Sequence, residues 1–314
     1  MSVEILRYIE NSNKISIITH KNIDADSYGS ALSMYEYITS LGKTAKVVNI
    51  EEIPLYLKKF DESIKPLRKP PKSDLAIFVD CADLARSGFS RDDFNSPIIT
   101  IDHHLRHEAF ADIEFIDENA AATGVVVYNL LRNSQKGINS RCASAILLAI
   151  ASDSLFFSTD RVDSECFAIA SHLLELGANL ELVDRVLNKS SSLAKIRLKT
   201  EALKSLELLL EGRLGLITLK KQDFKSSGAH ISDTEGFASI PLELEIVEVA
   251  VFLVELEDRY KLSFRSKKRD VSEIAKEFSG GGHRLAAGGK LHAKSIEEAK
   301  NIVIQKFREI YEKK

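Results

Sequence analysis

KISIITHKNIDADSYGSALSMYEYITSLGKTAKVVNI, Lys14 to Ile50, decides the fold class. It opens on a β-branched run (14–20), crosses a polar turn, and continues as a helical pattern from Ser27 that ends at Gly42. A second β-like run follows at 44–50. Strand, helix and strand in this order imply parallel strands joined by a crossover helix. The runs at 75–80 and 97–102 extend the same sheet. The expected class is α/β, with an N-terminal Rossmann-like parallel sheet and crossover helices.

Helical patterns then follow at 122–132, 141–152, 164–176 and 180–187, the third of them stopping at Gly177. The polar run NKSSS (188–192) reads as a linker, and AKIRLKTEALKSLELLLEG (194–212) reads as an amphipathic connecting helix closed by Gly212. Strand patterns return in LGLITLK, EVAVFLVEL and YKLSFRS. A helix near Val271 to Phe278, a glycine cluster and a closing helix from Ile296 to Tyr311 complete a smaller C-terminal α/β domain with a mixed sheet.

Lys and Arg number 43 against 46 Asp and Glu, for a net charge of −3, and 44% of the 314 residues are hydrophobic. That composition describes globular protein and leaves no broad basic field of the kind long nucleic acid draws on. A short or single-nucleotide ligand suits it better. The longest nearly unbroken apolar stretch, Ala143 to Ala151, falls far short of the roughly 20 residues that span a bilayer. The first residues lack the basic start and apolar middle of a secretory signal. Cys81, Cys142 and Cys166 are far apart and form no CxxC pair. These features lead to the expectation of a cytoplasmic protein with reduced thiols and no membrane contact.

Three short pieces place metal-ligating side chains just past β-like runs: HKNIDAD (His20 to Asp26), VD (Val79 to Asp80) and IDHH (Ile101 to His104). This composition yields roughly 0.03 chance matches to HxxxDxD. Ligands of parallel sheets gather at the carboxyl ends of the strands, where His20, Asp80 and Asp102 fall. A fourth acid, Asp153, stops the apolar helical run in LLAIASDSLFF. Asp24, Asp26, Asp80 and Asp153 brought together would repel one another unless cations or protons compensate. Two divalent ions balance four carboxylates. With His20 and His103 as imidazole ligands and no thiolate, the donor set suits manganese or cobalt better than calcium or magnesium. Mn²⁺ is the expected ion.

In the C-terminal half, GGGH (Gly280 to His283) is the sharper signal, with roughly 0.001 chance matches expected. Three consecutive glycines let backbone approach a phosphate, with His283 donating beside it; a flexible turn is the plainer reading. Arg265, on the SFRS strand, offers a planar fork that matches phosphate oxygens; a surface ion pair is the plainer reading here. Lys267, Lys268, Arg269 and Arg284 cluster near it in sequence.

HxxxDxD, a lone Asp after a strand, DHH, an Asp ending a helix and GGGHxxAAG, in this order over nearly the whole chain, resemble the DHH phosphoesterase superfamily. More narrowly, they are similar to its two-domain branch of nanoRNases, pAp phosphatases and dinucleotide phosphodiesterases. The resemblance implies a DHH metal-binding catalytic domain over 1–188, a linker and connecting helix over 189–211, and a DHH-associated substrate-binding domain over 212–314. It implies one cation held by His20, Asp24 and Asp80 and a second by Asp26, Asp80, His103 and Asp153, with Asp80 bridging. Asp102 would orient its neighbours, and His104 would face the substrate phosphate as donor or acid. Arg265, Gly280, Gly281, Gly282 and His283 would hold a terminal phosphate.

AATG (Ala121 to Gly124) and DTEG (Asp233 to Gly236) also look like family segments, with no chemistry assigned to them. Two departures stand out. SDSL (Ser152 to Leu155) replaces the family's common TDTG, placing a bulky Leu155 beside Asp153, and Val125 stands where a Glu is frequent. His107, His172, His230 and His292 have no ligand-spaced partners and are expected in core or surface roles, His107 lying nearest the DHH.

The implied activity is Mn-dependent hydrolysis of phosphoester bonds in short oligoribonucleotides and pApA-like dinucleotides, releasing mononucleotides, together with removal of the 3′-phosphate of pAp. Cations about 3.5–4 Å apart would activate a bridging water for in-line attack. The second domain would measure substrate length by holding a phosphate one nucleotide away. Partners would be short RNA, dinucleotides or pAp, with a homodimer among the open oligomeric states. Two other readings stay open: a RecJ-like single-strand DNA exonuclease, which the short chain disfavours, and a non-catalytic nucleotide-binding sensor, which six filled ligand positions disfavour. A pyrophosphatase relative fits GGGH and Arg265 less well.

Overall fold

The computed structural model describes residues 2–104, 109–189 and 191–312; His107 lies outside them. The chain divides into two compact units, Met1–Ser190 and Ser191–Lys314.

In the first unit the elements run α1 (Ser2–Asn11), β1 (Lys14–Ile18), α2 (Ala25–Ser40), β2 (Thr44–Val48), α3 (Leu55–Lys58), β3 (Leu75–Val79), α4 (Leu84–Ser87), β4 (Ile98–Asp102) and β5 (Ile113–Ile116). Four helices follow: α5 (Thr123–Leu131), α6 (Ser140–Asp153), α7 (Ser164–Glu175) and α8 (Leu180–Asn188). The five strands pair in parallel in the order β2-β1-β3-β4-β5. Every residue of β3 and β4 is buried, as a parallel sheet covered on both faces requires of apolar strands. The chain leaves β1 toward β2 on one side and later returns to β3 on the other, so the topological switch lies between the carboxyl ends of β1 and β3. Crevices at such points are where open α/β sheets place ligands.

Helix α2 begins two residues before the sequence pattern suggested. The Asp24 carboxylate accepts from Ser27 N at 3.0 Å and caps it, so Asp26 falls in the first turn. At the other end Gly42 takes φ 76°, a left-handed position that suits glycine. Helices α2, α5 and α6 approach closely through glycine: a Cβ on Gly29 would meet Ala145 O at 2.4 Å, and one on Gly124 would meet Ala149 Cβ at 2.6 Å.

The second unit contains α9 (Leu193–Lys204), β6 (Glu207–Leu209), β7 (Leu214–Leu219), α10 (Lys221–Ser227), β8 (Val249–Glu255), β9 (Tyr260–Ser266), α11 (Ser272–Glu277), β10 (Gly281–His283), β11 (Ala286–Leu291) and α12 (Ile296–Glu312). Its mixed sheet has the order β10-β11-β9-β8-β7-β6. One face carries Leu262 and Phe264 against Ile274, Val303 and Phe307, and the other carries Ile217 and Phe252 against Leu198 and Phe237. Among the described residues, no single helix is long and apolar enough to cross a membrane.

One expectation is corrected here and one alternative is set aside. The connecting helix does not reach Gly212: it stops at Lys204, and Glu207–Leu209 joins the sheet as β6, antiparallel to β7. Ser205 Oγ donates to Thr218 O and accepts from Thr218 N, both at 2.8 Å, which ties the helix end to β7. Leu210, Glu211 and Gly212, all at positive φ, then form the hairpin turn. The leucines spaced as a helix face are strand residues. In the glycine cluster, Gly281, Gly282 and His283 form strand β10, paired with β11 from Gly281↔Gly288 to His283↔Ala286, which sets aside the alternative of a flexible turn.

Candidate metal centre

The ends of β1, β3 and β4 meet the first turn of α2, the last turn of α6 and the start of α5. Helix α2 supplies Asp24 and Asp26, α6 supplies Asp153 as its last residue, and His20, Asp80, Asp102, His103 and His104 follow or end the strands. His20 Nε2 lies 3.5 Å from both Asp24 Oδ2 and Asp80 Oδ2. His103 Nε2 lies 3.8 Å from Asp26 Oδ2, 3.9 Å from Asp80 Oδ1 and 3.5 Å from Asp153 Oδ2. His20, Asp24 and Asp80 thus form one ligand-spaced group, Asp26, His103 and Asp153 another, and Asp80, His103 and His104 a third. Asp80, its two oxygens turned to different histidines, lies between the first two.

The donor chemistry fits divalent cations. His103 Nδ1 lies 3.1 Å from Ala120 O, a bond only its N–H form makes, which turns Nε2 toward the carboxylates. That Nε2 is buried and has no hydrogen-bond partner among the described residues. A buried orphan imidazole nitrogen ringed by three carboxylates is what a cation ligand requires.

The protonation balance agrees. Burial, followed by the nearby Asp80, Asp153 and Asp24, pushes the Asp26 carboxyl well above its usual range. Burial likewise raises Asp80. For His20, burial opposes the charge, but Asp24 and Asp80 outweigh it and push the pKa up to about 9. Without a cation the site draws protons to itself; a bound cation takes their place.

Asp26 accepts from Thr123 N at 2.7 Å, Gly124 N at 3.0 Å and Ser30 Oγ at 3.1 Å. The N-terminus of α5 therefore clamps a buried carboxylate with its free amides. Thr123 Oγ1 also donates to Asp80 Oδ1 at 2.9 Å. These are the residues sequence reasoning left without a role: Thr123, Gly124 and the Ala120 carbonyl. Their signal was present in AATG, small residues and a Thr-Gly pair opening an apolar helix.

Asp102 accepts from His103 N at 2.7 Å, His104 N at 3.1 Å and His104 Nδ1 at 2.8 Å. Burial works against its charge, yet these bonds, led by that from the His104 ring, hold its pKa below the ordinary value. His104 is thereby fixed through Nδ1.

Residues 14–150 match the family described as "DHH family, N-terminal domain", and residues 219–309 match the "DHHA1 domain". The chain belongs to the DHH family. A Thermus thermophilus relative named "Bifunctional oligoribonuclease and PAP phosphatase NrnA" is 29% identical over 98% of this DHH-family chain and 92% of its own length. The crystal structure of an exopolyphosphatase-related protein from Bacteroides fragilis superposes with a TM-score of 0.90 at 25% identity, covering 99% of this chain and 97% of that one. Thermus thermophilus RecJ in complex with Mn²⁺ shares the fold, with a TM-score of 0.53 at 12% identity over 98% of this chain and 53% of RecJ.

The second unit of this DHH-family chain carries the other residues singled out. His283 pairs with Ala286, and Ala286 pairs with Arg265. Directly opposed antiparallel residues point to one face, so His283 and Arg265 share a row with only the Ala286 methyl between them. Gly280 and Gly282 are glycine for packing, since a Cβ would fall 1.9 Å from Gly288 O and 2.6 Å from Ala286 O respectively. A Cβ on Gly281 meets nothing within 4 Å. Of the nearby basic residues, Arg269 pairs with Glu248, Lys267 donates to Leu244 O, and Arg284 donates to Lys268 O. Arg265 has no carboxylate partner among the described residues; it donates to Phe264 O at 2.9 Å, and burial lowers its pKa. The other histidines are accounted for locally: His172 bonds Tyr128 OH, and His292 bonds Asp258 O.

Proposed function

We propose that the chain hydrolyses phosphoester bonds in short oligoribonucleotides and 5′-phosphorylated dinucleotides, releasing mononucleotides, and removes the 3′-phosphate of pAp in the cytoplasm with Mn²⁺ as cofactor. The observation that carries this reading is the pair of ligand groups around Asp80 with the orphan His103 Nε2 at their centre. Support for the substrate class comes from the relative named as oligoribonuclease and PAP phosphatase, matched over nearly the whole chain. Support for manganese comes from the mixed nitrogen and oxygen donor set and from the RecJ complex with Mn²⁺.

His20, Asp24 and Asp80 would hold one cation, and Asp26, Asp80, His103 and Asp153 the other. Bound divalent ions supply Lewis-acid polarisation of phosphoryl oxygens and a water of lowered pKa. The chain's own residues do the rest. Asp102 holds His104 with its Nε2 free to donate to a phosphate oxygen or to the leaving ribose oxygen. Arg265, desolvated and unpaired by any carboxylate among the described residues, recognises a phosphate together with His283 and the Gly281 backbone.

The test is release of mononucleotide from a 5′-labelled RNA dinucleotide with Mn²⁺, run beside pAp, cyclic di-AMP, RNA of two to twenty nucleotides and single-stranded DNA. Dinucleotides and pAp are expected to lead. Asp80→Ala abolishes turnover, and Arg265→Ala raises KM for nucleotide substrates about tenfold or more, the scale of one charge-assisted phosphate contact. Activity that survives chelation or Asp80→Ala overturns the reading, and processive digestion of long DNA replaces it with an exonuclease.

A further inference from the structure

Two residues past Asp153, beyond Ser154, the chain enters three consecutive left-handed residues with no glycine among them: Leu155 (φ 47°), Phe156 (φ 54°) and Phe157 (φ 63°). Such backbone strains a residue bearing a Cβ, which crowds the following carbonyl oxygen. The turn is held by its own hydrogen bonds. Phe156 N donates to Ala151 O at 2.8 Å, Phe157 N to Ser154 Oγ at 3.0 Å, and Ser158 N to Ser154 O at 2.8 Å.

Phe156 and Phe157 offset their strain by packing on the core of the first unit, and the Phe157 ring stacks on Phe167 at 5.3 Å. Leu155 has no such compensation, for its side chain is 69% exposed. Glycine there would keep both backbone hydrogen bonds, from Leu155 N to Ser152 O and from Ser158 Oγ to Leu155 O. It would also remove the strain and give up almost no burial. Stability does not account for a leucine at this position.

Two residues of chain span at most about 7 Å, so the exposed Leu155 lies within that distance of Asp153 along the backbone. We infer that Leu155 is a specificity-determining residue, its isobutyl group packing against the ribose and base of the nucleotide whose phosphate is held beside Asp153. This rests on the proposed nucleotide substrate. Among phosphate compounds that reach such a site, a nucleoside ester brings an apolar face for Leu155 to cover, whereas inorganic phosphate or pyrophosphate brings none. The strained turn then has a use, which is to hold an apolar side chain in water until substrate covers it.

The test compares kcat/KM for a 5′-phosphorylated RNA dinucleotide with that for methyl phosphate, an ester with no nucleoside and no ring for Leu155 to cover. Leu155→Gly and Leu155→Asn both tolerate left-handed backbone, and Asn keeps a side chain of similar reach with a polar amide in place of the two methyl groups. Both should raise the melting temperature and lower the dinucleotide-to-small-ester ratio about tenfold through KM, the scale of losing part of one buried leucine. Leu155→Met should keep the ratio within about threefold. A raised melting temperature with an unchanged ratio in both Gly and Asn variants overturns the inference alone. A wild-type enzyme that leaves the dinucleotide intact with Mn²⁺ overturns the proposed function, and this inference with it.

Discussion

Asp80 occupies a left-handed backbone position, φ 55°, is 2% exposed, and is faced by His20, His103 and His104. Asp tolerates that backbone better than most residues, and Asn tolerates it equally. The substitution Asp80→Asn therefore isolates charge from shape. A carboxyl whose pKa is higher in the fold than in the unfolded chain binds its proton more tightly when folded. The metal-free fold consequently loses stability as pH rises from the unfolded Asp value, about 3.9, through the raised one. Because burial raises Asp80, the metal-free Asp80→Asn variant is expected to melt several degrees above metal-free wild type at pH 7, the gap closing as pH falls toward 4. Adding Mn²⁺ reverses the order, since binding at a hundred times Kd stabilises wild type by about 2.7 kcal/mol and the variant by less. Thermal melts with chelator and with Mn²⁺, at pH 5 and pH 7, check both signs. The residue identities of this site were readable because His and Asp at strand ends are unusual as a pattern. The left-handed backbone at Asp80 and Leu155 was not readable, since neither residue announces positive φ as glycine does.

At the scale of elements, the two ligand groups depend on how closely α2, α5 and α6 approach. Asp26 is on α2, its clamp is the N-terminus of α5, and Asp153 ends α6. The contact that sets their separation is glycine against backbone: a Cβ on Gly29 would stand 2.4 Å from Ala145 O and 3.0 Å from Ala149 N. Neither atom belongs to a flexible side chain, so the helices must part. Gly29→Ala is expected to destabilise the chain by about 1–3 kcal/mol, the usual cost of overpacking. It should also weaken Mn²⁺ binding, because α2 carries Asp26 away from His103 and Asp153. Urea denaturation and a Mn²⁺ titration measure the two effects. Equal stability with full cation affinity would show that α2 is free to shift without the site. The helices themselves were legible from apolar periodicity and Gly stops. Their caps were less so, and with them the roles of Asp24 as a cap and of Thr123 and Gly124 as the clamp on Asp26. Pattern finds the body of a helix, whereas its first turn is decided by which side chain reaches a free N–H. The connecting helix shows the opposite failure, since Leu206, Leu208, Leu209 and Leu210 satisfy a helical spacing as well as a strand's. Ser205 and the turn at Leu210–Gly212 decide for the strand.

For the whole molecule, each unit has its own cores: the parallel sheet with its helices in the first, and both faces of the mixed sheet in the second. A division into two parts was legible from the change of pattern near NKSSS, because composition and periodicity both change there. All the candidate cation ligands belong to the first unit. Ligand binding raises the melting point only of the part whose folded form holds the ligand, so calorimetry should show two transitions. Mn²⁺ is expected to raise one of them by several degrees and leave the other in place; the shifted transition should lose its response in Asp80→Asn. Under the proposed function, phosphate-bearing nucleotide without metal would be held by Arg265 and His283 and is expected to move the second transition, an effect that Arg265→Ala removes. A single transition that responds as a whole to Mn²⁺ would mean that the units unfold as one cooperative body, with cation binding at His20, Asp80 and His103 felt as far as the mixed sheet.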